Sequence, residues 1–161
     1  MAKVRKVSPK YTRGLKKSTA AKRKAEIRKR STGKVSGASK YKPLPGDKKA
    51  TTRPSKYTRS AGGLRKAVSE SSKTVRSDSP KTKFIRGTSK ATGVPVGIIR
   101  KVYERGEAAW AIGHRPGATQ SQWAKARVYS FLQKGKTAQM GDKQLYAQAK
   151  KQQKGSDFKL K

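Results

Sequence analysis

Residues 88–135 read TSKATGVPVGIIRKVYERGEAAWAIGHRPGATQSQWAKARVYSFLQKG, and this stretch decides the predicted fold. It contains both tryptophans, the single histidine and most of the closely spaced apolar residues of the chain. The sequence before it is rich in lysine, and the sequence after it is short and basic. The stretch therefore predicts a small folded unit that carries basic segments on either side.

Apolar residues recur every three or four positions from Val96 to Tyr103, which is the spacing of one helix face. Pro95 suits the first turn of a helix, and Gly113 is a typical stop. The pattern predicts one long helix from Pro95 to Ile112. The predicted helical core comprises Val96, Ile99, Val102, Tyr103, Trp110, Trp123 and Phe131.

Two further helices complete the predicted unit. Thr119 followed by Gln122 is a capping-box signature, and it predicts a helix that continues to Gly135. Asp142 can cap a last helix. We therefore predict a mainly α protein with a small three- to four-helix C-terminal domain over residues 88–152 and a basic tail over residues 153–161.

Residues 1–87 have the composition of a segment without a core of its own. The whole chain has 43 basic and 8 acidic residues, a net charge of +35, and only 32% hydrophobic residues. Such chains bury too little apolar surface to offset the entropy of ordering. We predict a long, extended, basic, low-complexity N-terminal arm over residues 1–87.

The sequence Lys-Tyr-Thr-Arg occurs twice in this arm, each time with Gly-Leu and two basic residues downstream. Tyrosine offers rigid contact area and the cations offer charge-assisted hydrogen bonds. We interpret the repeat as a short motif that docks on copies of a partner protein, although a biased composition can also produce such matches by chance. The predicted docking residues are Lys10, Tyr11, Thr12, Arg13, Lys56, Tyr57, Thr58 and Arg59.

Residues 18–30 have good helix formers but only Ile27 as a large apolar residue. Like charges repel at helical spacing, so this segment is either a helix held against phosphates or carboxylates, or a solvated arm. The candidate nucleic-acid contacts are Lys22, Arg23, Lys24, Arg28, Lys29 and Arg30 here, and Arg100 and Lys101 in the long helix.

Residues 89–102 resemble a helix-turn-helix with a glycine turn. In that motif the first turns of the second helix read base edges. Here those turns carry Val96, Gly97 and Ile98, which offer almost no hydrogen-bonding groups. Arg100 and Lys101 can contact phosphates, which position a protein without specifying sequence. The motif favours a packing role over sequence-specific recognition.

Catalysis is not expected. The single histidine, His114, is interpreted as a loop residue that holds a turn or contacts a carbonyl. A metal site needs more nitrogen, sulfur or clustered carboxylate ligands than the chain offers, and there is no cysteine. No cofactor, no small-molecule substrate and no membrane span are expected, since no stretch approaches the ~20 apolar residues that crossing a bilayer requires.

A longer series of motifs gives a resemblance to a known family. The residues that carry it are Thr92-Gly93-Val94, Lys101 to Gly106, Ala109 with Trp110, Gly113 to Thr119, Gln122-Trp123-Ala124, Ala126-Arg127-Val128, Ser130-Phe131 and Lys134-Gly135-Lys136, with a Tyr-x-x-x-Leu-basic head at Tyr11. This series resembles small, basic, uncharacterised proteins of large DNA viruses of algae and other protists and of some large phages, including chlorovirus-type virion proteins.

The resemblance implies a viral origin, and with it a structural role. Large icosahedral shells need small proteins that bridge or cement capsomers. We therefore hypothesise a non-enzymatic minor capsid protein on the inner face of the shell, made in the infected host cell, with capsid proteins and packaged DNA as partners. The alternatives are a non-specific DNA-binding, genome-condensing protein and a ribosomal-type RNA-binding protein, because the basic excess suits any polyanion.

Overall fold

A computed structural model describes residues 6–49 and 53–161, and this part of the chain is helical without a β-strand. The prediction of a mainly α protein is confirmed. The helices are α1 (Lys17–Ser31), α2 (Lys56–Ser60), α3 (Gly62–Lys73), α4 (Pro80–Thr92), α5 (Val96–Ile112), α6 (Gln120–Leu132), α7 (Lys136–Gln139) and α8 (Lys143–Gln152). Short 3-10 helices cover Pro9–Tyr11, Gly37–Tyr41 and Asp47–Lys49.

The extended arm predicted for residues 1–87 is not what the described residues show. Helices α1, α2 and α3 lie within that range, and the predicted boundary at residue 87 falls inside α4. The reason is that the segment does bury side chains, among them Ile27 and Val68. Part of what it buries in α1 is arginine, which a search for apolar stripes does not find.

The chain divides into two compact units. The first comprises the described residues of Met1–Arg53 together with Glu107–Trp123, and the second comprises Pro54–Gly106 together with Ala124–Lys161. Helices α5 and α6 each contribute residues to both units. The division separates the predicted core residues, since Trp110 and Trp123 belong to the first unit and the other five belong to the second.

The second unit has an apolar core made by α3 to α8. Ile99, Val102, Tyr103 and Phe131 are buried as predicted, and Val96 is half-buried against them. Aromatic contacts link the helices, with the Phe84 ring 5.9 Å from the ring of Tyr129 and the Phe131 ring 5.3 Å from that of Tyr146. The core also takes in Leu160, so the predicted basic tail packs on this unit.

The first unit has fewer large buried apolar residues, chiefly Ile27, Leu44 and Trp110. Trp110 donates its indole N–H to the carbonyl of Ala118 at 2.7 Å, and its ring stacks on that of His114 at 4.1 Å. Trp123 is only half-buried. Buried polar and charged side chains fill much of the remaining interior.

Two local signals for helix boundaries are confirmed, the glycine turn at Gly93 and the capping box at Thr119. Gly93 ends α4 with φ +67°, a left-handed conformation that glycine adopts without steric cost. Thr119 and Gln122 make both bonds of the capping box: the Gln122 N–H donates to Thr119 Oγ1 at 3.1 Å, and the Thr119 N–H donates to Gln122 Oε1 at 3.0 Å.

Asp142 precedes α8, but its side chain makes no capping bond because its carboxylate bonds to Arg105 and Arg127 instead. Helix α6 ends at Leu132, before reaching Gly135. In the described residues no helix is long and apolar enough to cross a membrane.

Candidate nucleic-acid interface

The first Lys-Tyr-Thr-Arg copy packs inside the first unit. Tyr11 is half-buried, and its ring lies 6.2 Å from that of Trp123 at an angle of 54°. A Cβ atom added to Gly113, just after α5, would lie 3.5 Å from Cε2 of Tyr11. The ammonium of Lys10 lies 5.0 Å from the centre of the Tyr11 ring, which is cation–π distance.

The second copy forms α2 and packs in the same manner inside the second unit. Tyr57 lies so close to Gly135, just after α6, that an added Cβ would be 2.6 Å from its ring carbons. Gln133 Nε2 donates to the carbonyl of Tyr57 at 2.7 Å. Thr58 donates its backbone N–H to Ser55 Oγ, which caps the helix.

These contacts change the interpretation of the repeat. Each tyrosine ring packs against a glycine of its own unit that follows the end of a helix. The rings therefore serve packing within the chain and do not form an open docking surface. Thr12 and Thr58 are also half-buried. The residues of the two copies that remain exposed are Lys10, Arg13, Lys56 and Arg59.

Helix α1 divides its cations between the interior and the surface. Arg23 and Arg30 are buried with exposures of 0% and 3%, and they flank Ile27 at helical spacing. The structure therefore removes Arg23 and Arg30 from the predicted nucleic-acid contacts. The α1 cationic face is defined here as the exposed members of the predicted contact set in this helix, Lys22, Lys24, Arg28 and Lys29.

Arg30 is held by oxygen atoms of its own unit. Its Nη1 donates to the carbonyl of Lys40 at 2.7 Å and its Nη2 to that of Lys42 at 3.0 Å. Its Nε pairs with Glu26 one turn earlier at 3.1 Å. A guanidinium has five N–H donors in a rigid fork, which allows it to satisfy several carbonyls at once.

Arg23, Asp47 and His114 form what we call the buried charge cluster. Arg23 Nη1 lies 2.7 Å from Asp47 Oδ1, and its Nη2 donates to the carbonyl of His114 at 2.7 Å. Asp47 Oδ2 lies 2.6 Å from His114 Nε2 and also accepts the N–H of Leu44. The prediction that His114 contacts a carbonyl is confirmed, because its Nδ1 lies 2.9 Å from the carbonyl oxygen of Trp110.

The electrostatics of this cluster favour the ionised carboxylate. Burial acts to raise the pKa of Asp47, but the hydrogen bond and charge of His114 and the hydrogen bond from Arg23 outweigh it and lower that pKa to about 2. Burial lowers the pKa of Arg23 from its ordinary value, against the effect of Asp47. Both ring nitrogens of His114 lie at hydrogen-bond distance from oxygen atoms, Nδ1 from the Trp110 carbonyl and Nε2 from the Asp47 carboxylate.

Asp47 was not singled out by the sequence analysis. A usable signal did exist, because Asp47 is the only acidic residue between Glu26 and Glu70 in a strongly basic segment. A lone carboxylate in such a segment is a natural partner for a buried arginine. In the described residues no group of three or more histidines, aspartates and glutamates is placed to hold a metal ion.

A second buried carboxylate lies in the second unit. The side chain of Asp142 has no exposed surface, and it pairs with Arg105 at 2.7 Å and with Arg127 at 2.9 Å. Arg100 and Lys101 of α5 belong to the same unit and are exposed. Their contact with phosphates stays a prediction, and their exposure is consistent with it.

The model of a family of unknown function (DUF5824) matches residues 8–148. The match extends through α1, α2 and α3 and so includes most of the segment predicted to be an arm. No curated protein and no solved structure matches the chain.

Proposed function

We propose that this chain, which belongs to that family of unknown function, is a non-enzymatic structural protein that binds the phosphate backbone of nucleic acid without reading its base sequence. The observation that supports this most strongly is the distribution of charge. The chain carries 43 basic and 8 acidic residues. Its acids are largely engaged within the fold, while many of its cations are exposed.

At least five of the eight acids pair with basic side chains of the same chain. Two of these pairings use nearly inaccessible carboxylates, since the side chain of Asp47 is 10% exposed and that of Asp142 is 0% exposed. These carboxylates balance arginines and the histidine inside the units. These five acids are Glu26, Asp47, Glu70, Glu104 and Asp142.

The α1 cationic face is suited to a polyanion. Lys22 and Lys29 lie two turns apart, and Lys24 and Arg28 lie one turn apart, so the four charges form two short rows along the helix. Lysine and arginine contacts of this kind position a protein on phosphates and release condensed counterions. Arg100 and Lys101 add two exposed cations on the second unit.

Reading of base sequence by α5 is not supported. Ile98 and Ile99 are buried in the apolar core and Val96 is half-buried. Gly97 is exposed but has no side chain to offer. The first turn of α5 therefore has no side-chain donor or acceptor for a base edge.

The test is the salt dependence of binding to a short DNA duplex of random sequence, measured by fluorescence anisotropy. Binding should weaken steeply between roughly 50 and 200 mM salt. Changing Lys22, Lys24, Arg28 and Lys29 to alanine removes four phosphate contacts and should reduce the slope of log K against log salt by about 3 to 4. The matched control removes the same charge elsewhere, by alanine at Lys66, Arg76, Lys83 and Arg86, which are all exposed.

Equal losses in the two variants would show that net charge alone attracts DNA and that α1 is not the contact surface. Absence of duplex binding by the unaltered chain at low salt would refute the proposal. Circular dichroism of each variant confirms that the helices are retained. Two duplexes of different sequence should bind alike, because phosphate contacts carry no sequence information.

A minor capsid role on the inner face of a viral shell is the second candidate. It is supported by the resemblance of residues 88–146 to proteins of large DNA viruses, and a cationic surface on the inner face of the shell would face packaged DNA. The two roles are compatible, since one protein can contact shell and genome together. Cross-links from Lys10 and Lys56 to a capsid protein in intact particles would support the role, and absence of the chain from purified particles would exclude it.

A further inference from the structure

An open groove of about 390 Å³ lies in the second unit where α7 and α8 meet the end of α6. Four lysines, Lys134, Lys143, Lys150 and Lys161, contribute to its lining, and all four are exposed. We call this the lysine groove. No sequence motif pointed to it, and none of the eight candidate nucleic-acid contacts lines it.

The charged side chains that line the groove are all lysines, and they form what we call its rim together with the neutral Gln139. None of the side chains that line it is acidic. Asp142, the nearest acid in sequence to α8, is buried and already paired with Arg105 and Arg127. No side chain of the lining therefore supplies a counter-charge to the four lysines.

The floor of the groove is apolar. We use the word floor for the apolar part of the lining, which comprises Ala138, Ala147 and the ring of Tyr146; Ala138 and Tyr146 are buried, and Ala147 is exposed. The only polar atom of the Tyr146 side chain is engaged, because its hydroxyl donates to the carbonyl of Lys161 at 2.8 Å. An apolar floor inside a charged rim is the usual composition of a protein–protein contact, in which a central anchor is surrounded by polar pairs.

From this combination we infer that the lysine groove binds an acidic segment of a partner protein, with one apolar side chain on the floor and flanking carboxylates on the lysines. The volume is at the low end of the ~300–1,000 Å³ typical of ligand sites, which suits a short anchor. Aspartate and glutamate supply the charge that the rim lacks. An aliphatic side chain such as leucine gains by leaving water for the floor.

Other occupants fit the groove less well. A second copy of this chain brings 43 basic residues against 8 acidic ones, and at least five of those acids are already paired. Duplex DNA offers phosphates to the rim, but its bases are stacked inside the helix and its backbone has no apolar side group for the floor. The inference is independent of the proposed phosphate-backbone binding, which is assigned to other residues.

The experiment uses the full chain and a blocked, fluorescent pentapeptide that has leucine at its centre and aspartate or glutamate at the other four positions. A second peptide has serine in place of the leucine. Binding is followed by anisotropy, and the site is identified from the methyl resonances of Ala138 and Ala147. The groove variant is Lys143→Glu with Lys150→Glu, and its matched control is Lys151→Glu with Lys154→Glu, which changes two exposed lysines that do not line the groove.

We expect the leucine peptide to shift the methyl resonances of Ala138 and Ala147 and to bind about tenfold more tightly than the serine peptide. The groove variant should bind the leucine peptide about tenfold more weakly than the unaltered chain, and the control should change this affinity by less than about twofold. Duplex DNA should respond alike to the two lysine variants, since both remove the same charge.

Three results would overturn the inference. The first is no binding of the leucine peptide, or equal binding of the two peptides, because the floor would then contribute nothing. The second is equal weakening by the groove variant and its control. The third is a groove variant that binds duplex DNA more weakly than its control does but binds the peptide with unchanged affinity. That result would assign the groove to nucleic acid. Unchanged thermal unfolding of both variants excludes a general loss of structure as the cause.

Discussion

The interior of each of the two units is stabilised by a different kind of interaction. The first unit buries Arg23, Arg30 and His114, and the carboxylate of Asp47 bonds to two of these three side chains. The second unit buries a continuous apolar cluster that runs from Ala61 to Leu160. The comparison shows that a segment with few apolar residues can still acquire an interior when arginines bond to backbone carbonyls and to a scarce carboxylate.

The difference has a consequence for stability. A buried ion pair gains little over a well-packed apolar group, because desolvation offsets much of the attraction. Removing one partner is costly, however, since the remaining charge is left buried without compensation. The first unit should therefore be sensitive to single charge removals and to pH, while the second should be sensitive to volume changes.

The largest expected effect comes from removing the carboxylate of the buried charge cluster. Asp47→Ala leaves Arg23 and His114 without their anion and should destabilise the first unit by about 3–5 kcal/mol. Hydrogen exchange should show lost protection in α1, while α4 and α8 of the second unit keep theirs. Asp157→Ala, an exposed acid of the second unit, is the control. Uniform loss of protection in both units would mean that the two interiors do not unfold separately.

The next effect distinguishes the two tyrosine contacts. A Cβ at Gly135 would lie 2.6 Å from the Tyr57 ring and from Ser130 Oγ, so Gly135→Ala should cost up to about 3 kcal/mol through displacement of the ring. At Gly113 the nearest atoms are 3.4–3.6 Å away, which is ordinary contact, so Gly113→Ala should be nearly neutral. Thermal unfolding of the two variants measures the difference. Similar losses in both would show that the two copies are packed equally tightly.

The smallest of these effects is acid sensitivity of the first unit. The pKa of Asp47 falls from its ordinary value of 3.8 to about 2 in the folded chain, so its contribution is complete above pH 3.8 and is lost as the pH falls through 2. The contribution is about 2 kcal/mol. Denaturant unfolding at pH values across this window measures it.

Asp47→Asn is the comparison for that titration. Asparagine keeps the size of the side chain but does not ionise between pH 4 and 2, so the free energy of unfolding of this variant should depend less on pH there. A variant with the same acid dependence as the unaltered chain would show that other carboxylates account for it.

Much of α5 and α6, which contribute residues to both units, could be predicted from the sequence. The long helix predicted at Pro95 to Ile112 corresponds to α5 at Val96–Ile112, and the capping box at Thr119 begins the helix that follows. These signals are local, since periodicity and capping depend on residues within one or two turns. The five predicted core residues of the second unit are buried or half-buried for the same reason.

The packing of α1 in the first unit could not be predicted in this way. Its stripe on α1 is Arg23, Ile27 and Arg30, and a charged side chain counts as solvent-facing in any hydrophobic pattern. The partners of Arg23 lie 24 residues away at Asp47 and 91 residues away at His114. Pairings between residues so far apart in sequence produce no periodic pattern that sequence analysis could detect.

The helical class, the cationic excess, the extent of α5 and the start of α6 can be predicted from the sequence, because each depends on composition or on neighbours along the chain. Which cations are interior and which are exposed, and the packing of both Lys-Tyr-Thr-Arg copies within the chain, follow from tertiary contacts alone. A charged side chain is buried only where an acceptor from a distant segment replaces its bound water. Whether such an acceptor is present depends on the packed structure alone.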